Sequence, residues 1–491
     1  MCYHNTDFAL LFAENKRNTK AIVFLGENSK KMKTKAEVMY STMNPWRLFF
    51  VVALPGMISM FTMSIYSIVE GAFIGQVLGE GAFAAVNIAF PLVMINFSLA
   101  DLIGVGASAP ISIALGKGDH KTANNIFSCS VVMIFISSII MGSIMFFAAE
   151  PLARLMGAND VLLETSVKYL RTYALTSPLT TIFFAMDNYL RISGYIKTSM
   201  FINISLNAMT IGLLTVFLLV VEMDVVGSAL ATSISMCICS VIAMIPFIRR
   251  KALLQFVKPK FNKAMFKEIA ACGSPVFLSN IAGRLTSILL NISLMTLGVA
   301  ALGEGGGTTA VAAYAVLMYS SDIGQPLVYG ISDSMSPAIG YNYGAEQYDR
   351  VKRIAKCVFV GSCTVSVITT AIMFFFAHPV VSIFANAEDV RLVELSTHAI
   401  RIFCLAYIFR WISIASQSFL SAIEKPFMAT VLAVATVLVF PVIILGAFWN
   451  MGLDGIWLNM LGTSVLSGIL SVWLLMRIGR EIKRKEKQKQ N

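Results

Sequence analysis

"FSCSVVMIFISSIIMGSIMFF" occupies residues 127–147 and contains no charged side chain. An apolar run of about 20 residues is long enough to cross the hydrocarbon core of a bilayer as a helix. The whole chain of 491 residues follows this pattern, because it is 57% hydrophobic and only 13% charged. Soluble domains carry about 25% charged residues. The runs are continuous rather than alternating, which argues against a barrel of strands. The sequence therefore predicts an all-α integral membrane protein.

Runs of this kind recur along the chain and predict twelve transmembrane helices joined by short connections, with no large soluble domain. The predicted spans are residues 46–76, 81–115, 122–149, 161–190, 198–221, 227–248, 267–298, 309–340, 355–377, 392–420, 428–449 and 456–477.

The basic residues indicate which way the chain crosses the membrane. Of the 38 Lys and Arg residues, 31 lie at the two termini and in alternate connections. Cytoplasmic connections carry such an excess, so both termini are predicted to be cytoplasmic in a bacterial inner membrane. The net charge of +11 is therefore interpreted as a signal of orientation near anionic lipid, and not as a nucleic-acid surface.

The ends of the chain and its cysteines suggest no further site. Residues 1–45 are polar and basic, lack the features of a signal peptide, and are predicted to be a disordered cytoplasmic tail. Met32, Met39 or Met43 is an alternative start. The 8 cysteines and 4 histidines show no metal-ligand spacing, so we expect no metal and no cofactor.

The two halves of the chain repeat each other. Four anchor residues recur in the same connection or helix position at a spacing of 228 residues: Gly116 and Gly344, Pro151 and Pro379, Lys197 and Lys425, and Gly227 and Gly455. The repeat predicts an N-terminal six-helix bundle over 46–250, a cytoplasmic linker over 251–266, a C-terminal six-helix bundle over 267–477 and a basic cytoplasmic tail over 478–491. Two parallel repeats are typical of transporters that rock around a central cavity.

Ionisable residues are costly inside transmembrane spans, so they are the strongest indication of a functional site in a membrane protein. Glu70 stands in the apolar stretch "SIYSIVEGAFIGQ" (64–76), one helical turn after Tyr66. Burial disfavours a charged carboxylate, so Glu70 could bind a proton in one conformation and release it in another. Alternatively, its carboxylate could hold a hard cation such as sodium. Pro55 precedes Glu70 in the same helix and is predicted to act as a hinge.

Other polar residues in the first bundle are less decisive. Asp187 is either a second acid of the Glu70 site or the partner of Arg191, four residues later. Asn207 in the fifth span either joins that site or links two helices. Asp101 lies beside Gly104 and Gly106 and is expected to be a structural or gating residue.

The second bundle contains three charged residues near mid-span, Arg284, Asp322 and Arg410. Buried charges need partners. We therefore expect these three side chains to form a charge-paired cluster at the central cavity, either as a functional group or as a static salt bridge.

Several motifs resemble those of the multidrug and toxin extrusion (MATE) transporters over residues 46–477. They are "ALPGMISMFTMSIYSIVEGAFIG" in the first span, "GVGASAPISIALGKGD" at the end of the second, "LRISGYIKTSM" between the fourth and fifth, and "AIGYNYGAEQYDR" at the end of the eighth. The order of these motifs is more specific than any single motif.

The resemblance implies an antiporter, not an enzyme, that exports amphipathic and often cationic compounds against inward sodium or proton flow. The DinF-like bacterial branch has an acid at the position of Glu70, an acid or amide at Asp187 and an asparagine at Asn207. That branch often has an aspartate at the position of Ile211, which leaves the coupling ion open. Small-molecule substrates, membrane lipids and a single-chain state follow from the same resemblance. The related lipid-linked oligosaccharide flippases give the alternative function.

Overall fold

The computed structural model describes residues 34–384 and 389–490, and these residues fold as helices without strands. Between residues 34 and 262, the structure contains nine α-helices. They are α1 (Lys35–Thr42), α2 (Pro45–Phe73), α3 (Gly79–Gly116), α4 (His120–Phe147), α5 (Ala149–Leu155), α6 (Asp160–Thr180), α7 (Ile182–Ile192), α8 (Ile196–Thr215) and α9 (Val225–Ile248). Short π-helical segments, Ile74–Leu78 and Val216–Val220, extend α2 and α8.

The second part of the chain contains another nine α-helices in its described residues. They are α10 (Lys263–Leu302), α11 (Gly306–Gly344), α12 (Tyr348–Phe375), α13 (Ala377–Phe384), α14 (Val390–Phe403), α15 (Tyr407–Ala422), α16 (Pro426–Val434), α17 (Phe440–Ala447) and α18 (Leu453–Gln490). A 3₁₀ turn, Cys404–Ala406, joins α14 to α15, and a π-helical segment, Ala435–Val439, joins α16 to α17.

Ten helical stretches among the described residues are long and apolar enough to cross a membrane. The two predicted spans that miss this criterion are α6 with α7, and α11. The first carries Glu164, Lys168 and Arg171 and is interrupted at Thr181. The second is rich in Gly and Ser, and more than half of its residues are buried. A span that packs against protein on most sides does not need to be as apolar as one that faces lipid.

Side-chain caps fix several helix starts. The Asp119 carboxylate accepts a hydrogen bond from the Thr122 backbone N–H at 3.0 Å and another from its hydroxyl at 2.6 Å. These bonds stabilise the charged form and hold the pKa of Asp119 below its usual value. Asn159, Asp224, Asn262 and Asp389 cap α6, α9, α10 and α14 in the same way. A capping residue before an apolar run is what defines these boundaries.

The two halves of the chain meet in a symmetric pattern. The first span of each repeat contacts the second span of the other, since α2 packs on α11 and α10 packs on α3. The equivalent glycines Gly116 and Gly344 make corresponding close approaches across this contact. A Cβ atom at Gly116 would collide with the carbonyl oxygen of Tyr341, and one at Gly344 would collide with that of Ile113. Only glycine lets the helices approach this closely.

Part of each predicted terminal tail is helical in the structure. Residues 1–33 lie outside the described residues, but Lys35–Thr42 form α1, and Ala36, Glu37 and Tyr40 are buried. The prediction that the chain is disordered as far as residue 45 is therefore wrong for this segment. Its polar and basic composition hid the fact that Ala36 and Tyr40, four residues apart, make one face that packs on the protein.

At the other end of the chain, α18 continues past the predicted span to Gln490. Ile478 and Ile482 remain buried along this extension. Two ion pairs fasten it to the second bundle, one to the start of α12 and one to the connection before α16. Lys352 Nζ lies 2.6 Å from Glu486 Oε1, and Lys425 Nζ lies 2.6 Å from Glu481 Oε1.

The connections that hold most of the Lys and Arg residues share one side of the molecule, which we call the basic end. The helix α10 is 40 residues long and joins the basic connection before it to the connection at Gly303. These two connections therefore lie at opposite ends of the bundles. We expect a reporter inserted after residue 257 to be cytoplasmic and one inserted after Gly303 to be external. Accessibility of the two reporters in intact cells checks this prediction, and the reverse result would overturn the orientation.

Candidate functional site

Glu70 lies in the last turn of α2 and forms a short polar chain with a neighbouring helix. The Thr232 hydroxyl of α9 donates to Glu70 Oε1 at 3.1 Å. The Tyr66 hydroxyl lies 3.2 Å from Thr232 Oγ1. Because the single Thr232 proton is used by the carboxylate, Tyr66 must be the donor in the second bond. The order is therefore Tyr66 to Thr232 to Glu70.

Glu70 has no compensating cation among the residues that the structure describes. Within residues 34–384 and 389–490, no Lys, Arg or His nitrogen forms an ion pair with its carboxylate, whereas other acids in the chain have such pairs. The π-helical segment begins four residues after Glu70, and the Ile74 N–H bonds to the Glu70 carbonyl oxygen. Such π segments are frequent at functional sites. An uncompensated carboxylate inside a membrane span is energetically costly and indicates function.

Pro55 and Gly56 lie where α2 touches the second bundle. A Cβ atom at Gly56 would collide with the Ser334 hydroxyl of α11 and would lie 2.6 Å from the carbonyl oxygen of Gly330. Glu70 follows Gly56 by 14 residues, or about 21 Å along a helix. The predicted hinge at Pro55 is thus next to the contact between the bundles and remote from the acid that it would move.

Asp187 belongs to a separate buried network at the level of Gly56. Its Oδ2 atom lies 2.5 Å from Arg191 Nη2. Its Oδ1 atom accepts bonds from Ser199 Oγ at 2.5 Å and from Asn203 Nδ2 at 2.9 Å. Arg191 Nη1 in turn donates to Ser334 Oγ at 3.3 Å. The carboxylate is therefore neutralised and fully hydrogen-bonded, and the Arg191 alternative accounts for it.

Among the described residues, no hydrogen bond or ion pair joins Glu70 to Asp187 or Asn207, so one site that contains all three stays a prediction. Arg191 shares its level with Ser334 and Gly56, so Glu70 lies many ångströms farther along the bundle. Asn207 is buried on α8, one turn beyond Asn203, but among the described residues its side chain bonds neither acid. Sequence spacing along separate helices did not reveal the depth of each residue in the bundle.

The predicted cluster in the second bundle is also wrong. Among the described residues, no two of Arg284, Asp322 and Arg410 form an ion pair, and Arg284 and Asp322 are exposed. Arg410 Nη1 instead contacts Met460 Sδ at 3.2 Å, and its Nε atom is buried without a hydrogen bond. The three charged groups therefore do not neutralise one another in this structure.

Arg284 and Asp322 occupy faces that turn toward the first bundle. Arg284 is one turn after Asn280, whose side chain donates to Ser98 Oγ of α3 at 3.0 Å. Asp322 is three turns before Asp333, which accepts a bond from Ser418 Oγ at 2.6 Å. Asp101 of α3 precedes Leu102, whose carbonyl oxygen a Cβ atom at Gly273 of α10 would collide with. Asp101 therefore lies beside the contact between the bundles, and its gating or structural role stays a prediction.

Sequence reasoning missed Thr232, Ser199 and Asn203. Thr and Ser in apolar helices usually bond to their own backbone, as Thr210 does with the Leu206 carbonyl oxygen at 2.8 Å. Thr232 therefore gave no distinguishing signal. The four-residue spacing of Ser199 and Asn203 on one helical face was a signal that could have been used.

The comparisons with known proteins follow the same division of the chain. The family model MatE matches twice, over residues 55–217 and 284–445, once in each bundle. The chain belongs to the MATE family. These proteins are multidrug efflux transporters and not enzymes. The double match supports the duplication that the spacing of 228 residues predicted.

Curated relatives cover nearly the full length of the chain. The Multidrug export protein MepA of Staphylococcus saprophyticus is 27% identical over 433 residues, which cover 86% of this chain and 92% of the relative. MepA of Staphylococcus aureus strain MSSA476 is 26% identical over 432 residues, with the same coverage.

Solved structures show the same fold. An outward-facing multidrug resistance MATE transporter of the MOP superfamily superposes with a TM-score of 0.84 at 22% identity and covers 92% of this chain and 100% of its own. A MOP superfamily transporter from Pyrococcus furiosus, described as having a binding pocket of reverse polarity, gives a TM-score of 0.83 at 22% identity, with the same coverage. This MATE chain is a multi-pass membrane protein with twelve transmembrane spans in two bundles.

The Thr232 bond to Glu70 is testable on its own. We expect Thr232→Val to lower drug efflux about tenfold or more, because a hydrogen bond to a carboxylate is lost while the side-chain shape is kept. Thr232→Ser should retain activity. Efflux from reconstituted vesicles at matched protein levels is the measurement.

Thr210→Val is the matched control, because the Thr210 hydroxyl bonds only within α8. If Thr210→Val and Thr232→Val transport equally well, the Tyr66–Thr232–Glu70 chain has no part in transport.

Proposed function

We propose that this protein is a secondary antiporter that exports amphipathic, often cationic drugs or toxic metabolites across a bacterial cytoplasmic membrane, driven by inward flow of a cation through the Glu70 site. The observation that carries the proposal is the carboxylate of Glu70, which lies inside a span with two hydroxyl groups and no described cation beside it. A membrane protein retains such a group at a cost of several kcal/mol, about 2–4 on insertion scales, when its charge has to change during function.

The donor set around Glu70 favours a proton as the coupling ion. A hard cation prefers about six oxygen ligands. The described oxygens are the Glu70 carboxylate and the hydroxyls of Tyr66 and Thr232, and the Thr232 proton already points to the carboxylate. A proton needs only one carboxylate oxygen. Sodium would require further oxygens, such as the amide of Asn207 after a rearrangement, and is therefore the second candidate.

The transport cycle follows from the two-bundle architecture. With Glu70 charged, the outer half of α2 keeps its polar bond to α9. Binding of a proton removes the charge, so α2 can repack in its apolar surroundings. Pro55 lacks a backbone N–H and allows bending next to the Gly56 contact with α11. Motion of the outer part of α2 can then change the space between the bundles, where the drug binds.

The space between the bundles suits a charged amphipathic compound. Arg284 and Asp322 are both exposed on faces directed toward the first bundle. Exposed apolar side chains on the helices that meet there include Met63 and Ile95. The Asp322 carboxylate would attract a cationic group, and the apolar side chains would contact the rest of the drug. The names of the MepA relatives, which describe multidrug export, support this substrate class.

The membrane arrangement belongs to the same proposal. The helix α1 and the C-terminal part of α18 lie at the basic end, which we assign to the cytoplasm, together with both termini, because Lys and Arg concentrate there. The fold is complete within one chain, so transport by a monomer in contact with lipid is sufficient.

Glu70→Gln tests the function directly. The amide mimics the neutral acid permanently, so we expect efflux to fall to background while folding and some drug binding remain. Glu70→Asp should keep partial activity because the acid is retained on a side chain one methylene shorter. The measurement is dye efflux from vesicles, driven separately by a proton gradient and by a sodium gradient.

Glu304→Gln provides the control, because Glu304 is exposed in the connection between α10 and α11. Undiminished efflux by Glu70→Gln would make Glu70 a structural residue and would reject the proposed coupling site. Wild-type efflux that responds to a sodium gradient alone would reject the proton as the coupling ion.

A further inference from the structure

Tyr40 of α1 is bonded to both bundles at once. Its hydroxyl donates to the backbone carbonyl oxygen of Arg191 at 2.5 Å, in the first bundle. Its own carbonyl oxygen accepts from Asn342 Nδ2 at 3.0 Å and from Arg350 Nε at 3.0 Å, both in the second bundle. The side chain is only 1% exposed. One residue thus bridges the two halves of the molecule at the basic end.

Further contacts seat α1 in the same place. Arg350 Nη2 donates to the Met43 carbonyl oxygen at 2.5 Å. A guanidinium at the C-terminal end of a helix satisfies carbonyl oxygens that have no partner within the helix. On the opposite side, Ala36 packs on Gly194, where an added Cβ atom would lie 2.8 Å from the Ala36 Cβ. The short helix therefore contacts both bundles through its packing as well as through Tyr40.

A second bridge lies directly next to the first. The Arg191 backbone accepts the bond from Tyr40, and the Arg191 guanidinium holds Asp187 on its own bundle and Ser334 on the other. Arg191 is 3% exposed. Two neighbouring residues, Tyr40 and Arg191, therefore join the bundles at the basic end, where the bundles are in contact.

We propose that Tyr40, positioned by Arg350 and Asn342, is a gate residue that holds the basic end closed, and that α1 must release one bundle each time that end opens. The inference rests on the proposed transport cycle, in which the bundles part at alternate ends.

Removing the hydrogen bonds between α1 and either bundle should weaken the link between the bundles. The test therefore uses one variant on each side of α1. Tyr40→Phe removes only the bond to the first bundle, whereas Arg350→Gln removes two bonds to the second. We expect each variant to raise hydrogen–deuterium exchange in peptides covering both 190–199 and 334–344. The loss of one or two bonds corresponds to about a threefold to tenfold increase in the rate of opening-limited exchange.

Two controls separate gating from a general loss of a bond or charge. Tyr195→Phe removes a tyrosine bond of the same kind, from its hydroxyl to the Lys251 carbonyl oxygen at 3.0 Å, which ties the first bundle to the linker and not to the second bundle. Arg353→Gln removes an exposed charge three residues after Arg350. Neither control should change exchange in 334–344, and the peptide 190–199, which contains Tyr195, is compared with Arg353→Gln only. If Arg350→Gln does not fold, Tyr40→Phe and its control decide the question alone.

The proposal is overturned if Tyr40→Phe exchanges like Tyr195→Phe. It is also overturned if the increase is confined to residues 35–43, because α1 would then fray without opening the contact between the bundles. The measurement uses purified full-length protein and needs no ion gradient. Failure of ion-driven efflux and failure of the gate are therefore observed independently.

Discussion

The hydrocarbon core of a bilayer offers no water to a polar group, and this constraint shapes the whole molecule. Backbone N–H and C=O groups are satisfied within helices, so the spans are helical throughout the described residues. Charged side chains must likewise find a partner, lose their charge or reach the surface. Each ionisable residue in the spans can be described by which of these three conditions it meets.

Asp187 has a cationic partner, whereas Glu70 has none among the described residues. The carboxylate of Asp187 is bound by Arg191, Ser199 and Asn203, so its charge is paired and its position is fixed. Glu70 has hydroxyl partners and no described cation. A paired charge suits a contact that organises the bundles, and a charge without a counter-ion suits a group that changes its protonation state. The same chemical group therefore has a structural role at one depth and a coupling role in our proposal at another.

Much of the fold could be predicted from sequence because each span is a local signal. The twelve apolar runs agree with the helices within seven residues, except that α18 continues 13 residues past its predicted end, and the spacing between Gly116 and Gly344 identified a real contact between the repeats. The pairing of charges could not be predicted, because it depends on depth and on which face of each helix turns inward. Arg284 and Arg410 looked similar in sequence, yet one is exposed and the other is packed beside Met460. The burial of α1 was hidden for a related reason, since a short polar helix carries only two apolar positions on its packed face.

The continuous helix α18 has a consequence for how the protein can be observed. Its last 14 residues, 477–490, extend about 21 Å beyond Met476 and are fastened to the second bundle by Lys352 and Lys425. This helical extension moves with the second bundle, so a rotation of the bundle displaces the end of the helix. A fluorophore on the exposed Lys487 and a second one on the exposed Lys121 of the first bundle would turn a small change of angle between the bundles into a measurable change of distance. The transport cycle could therefore be followed by spectroscopy of these two positions.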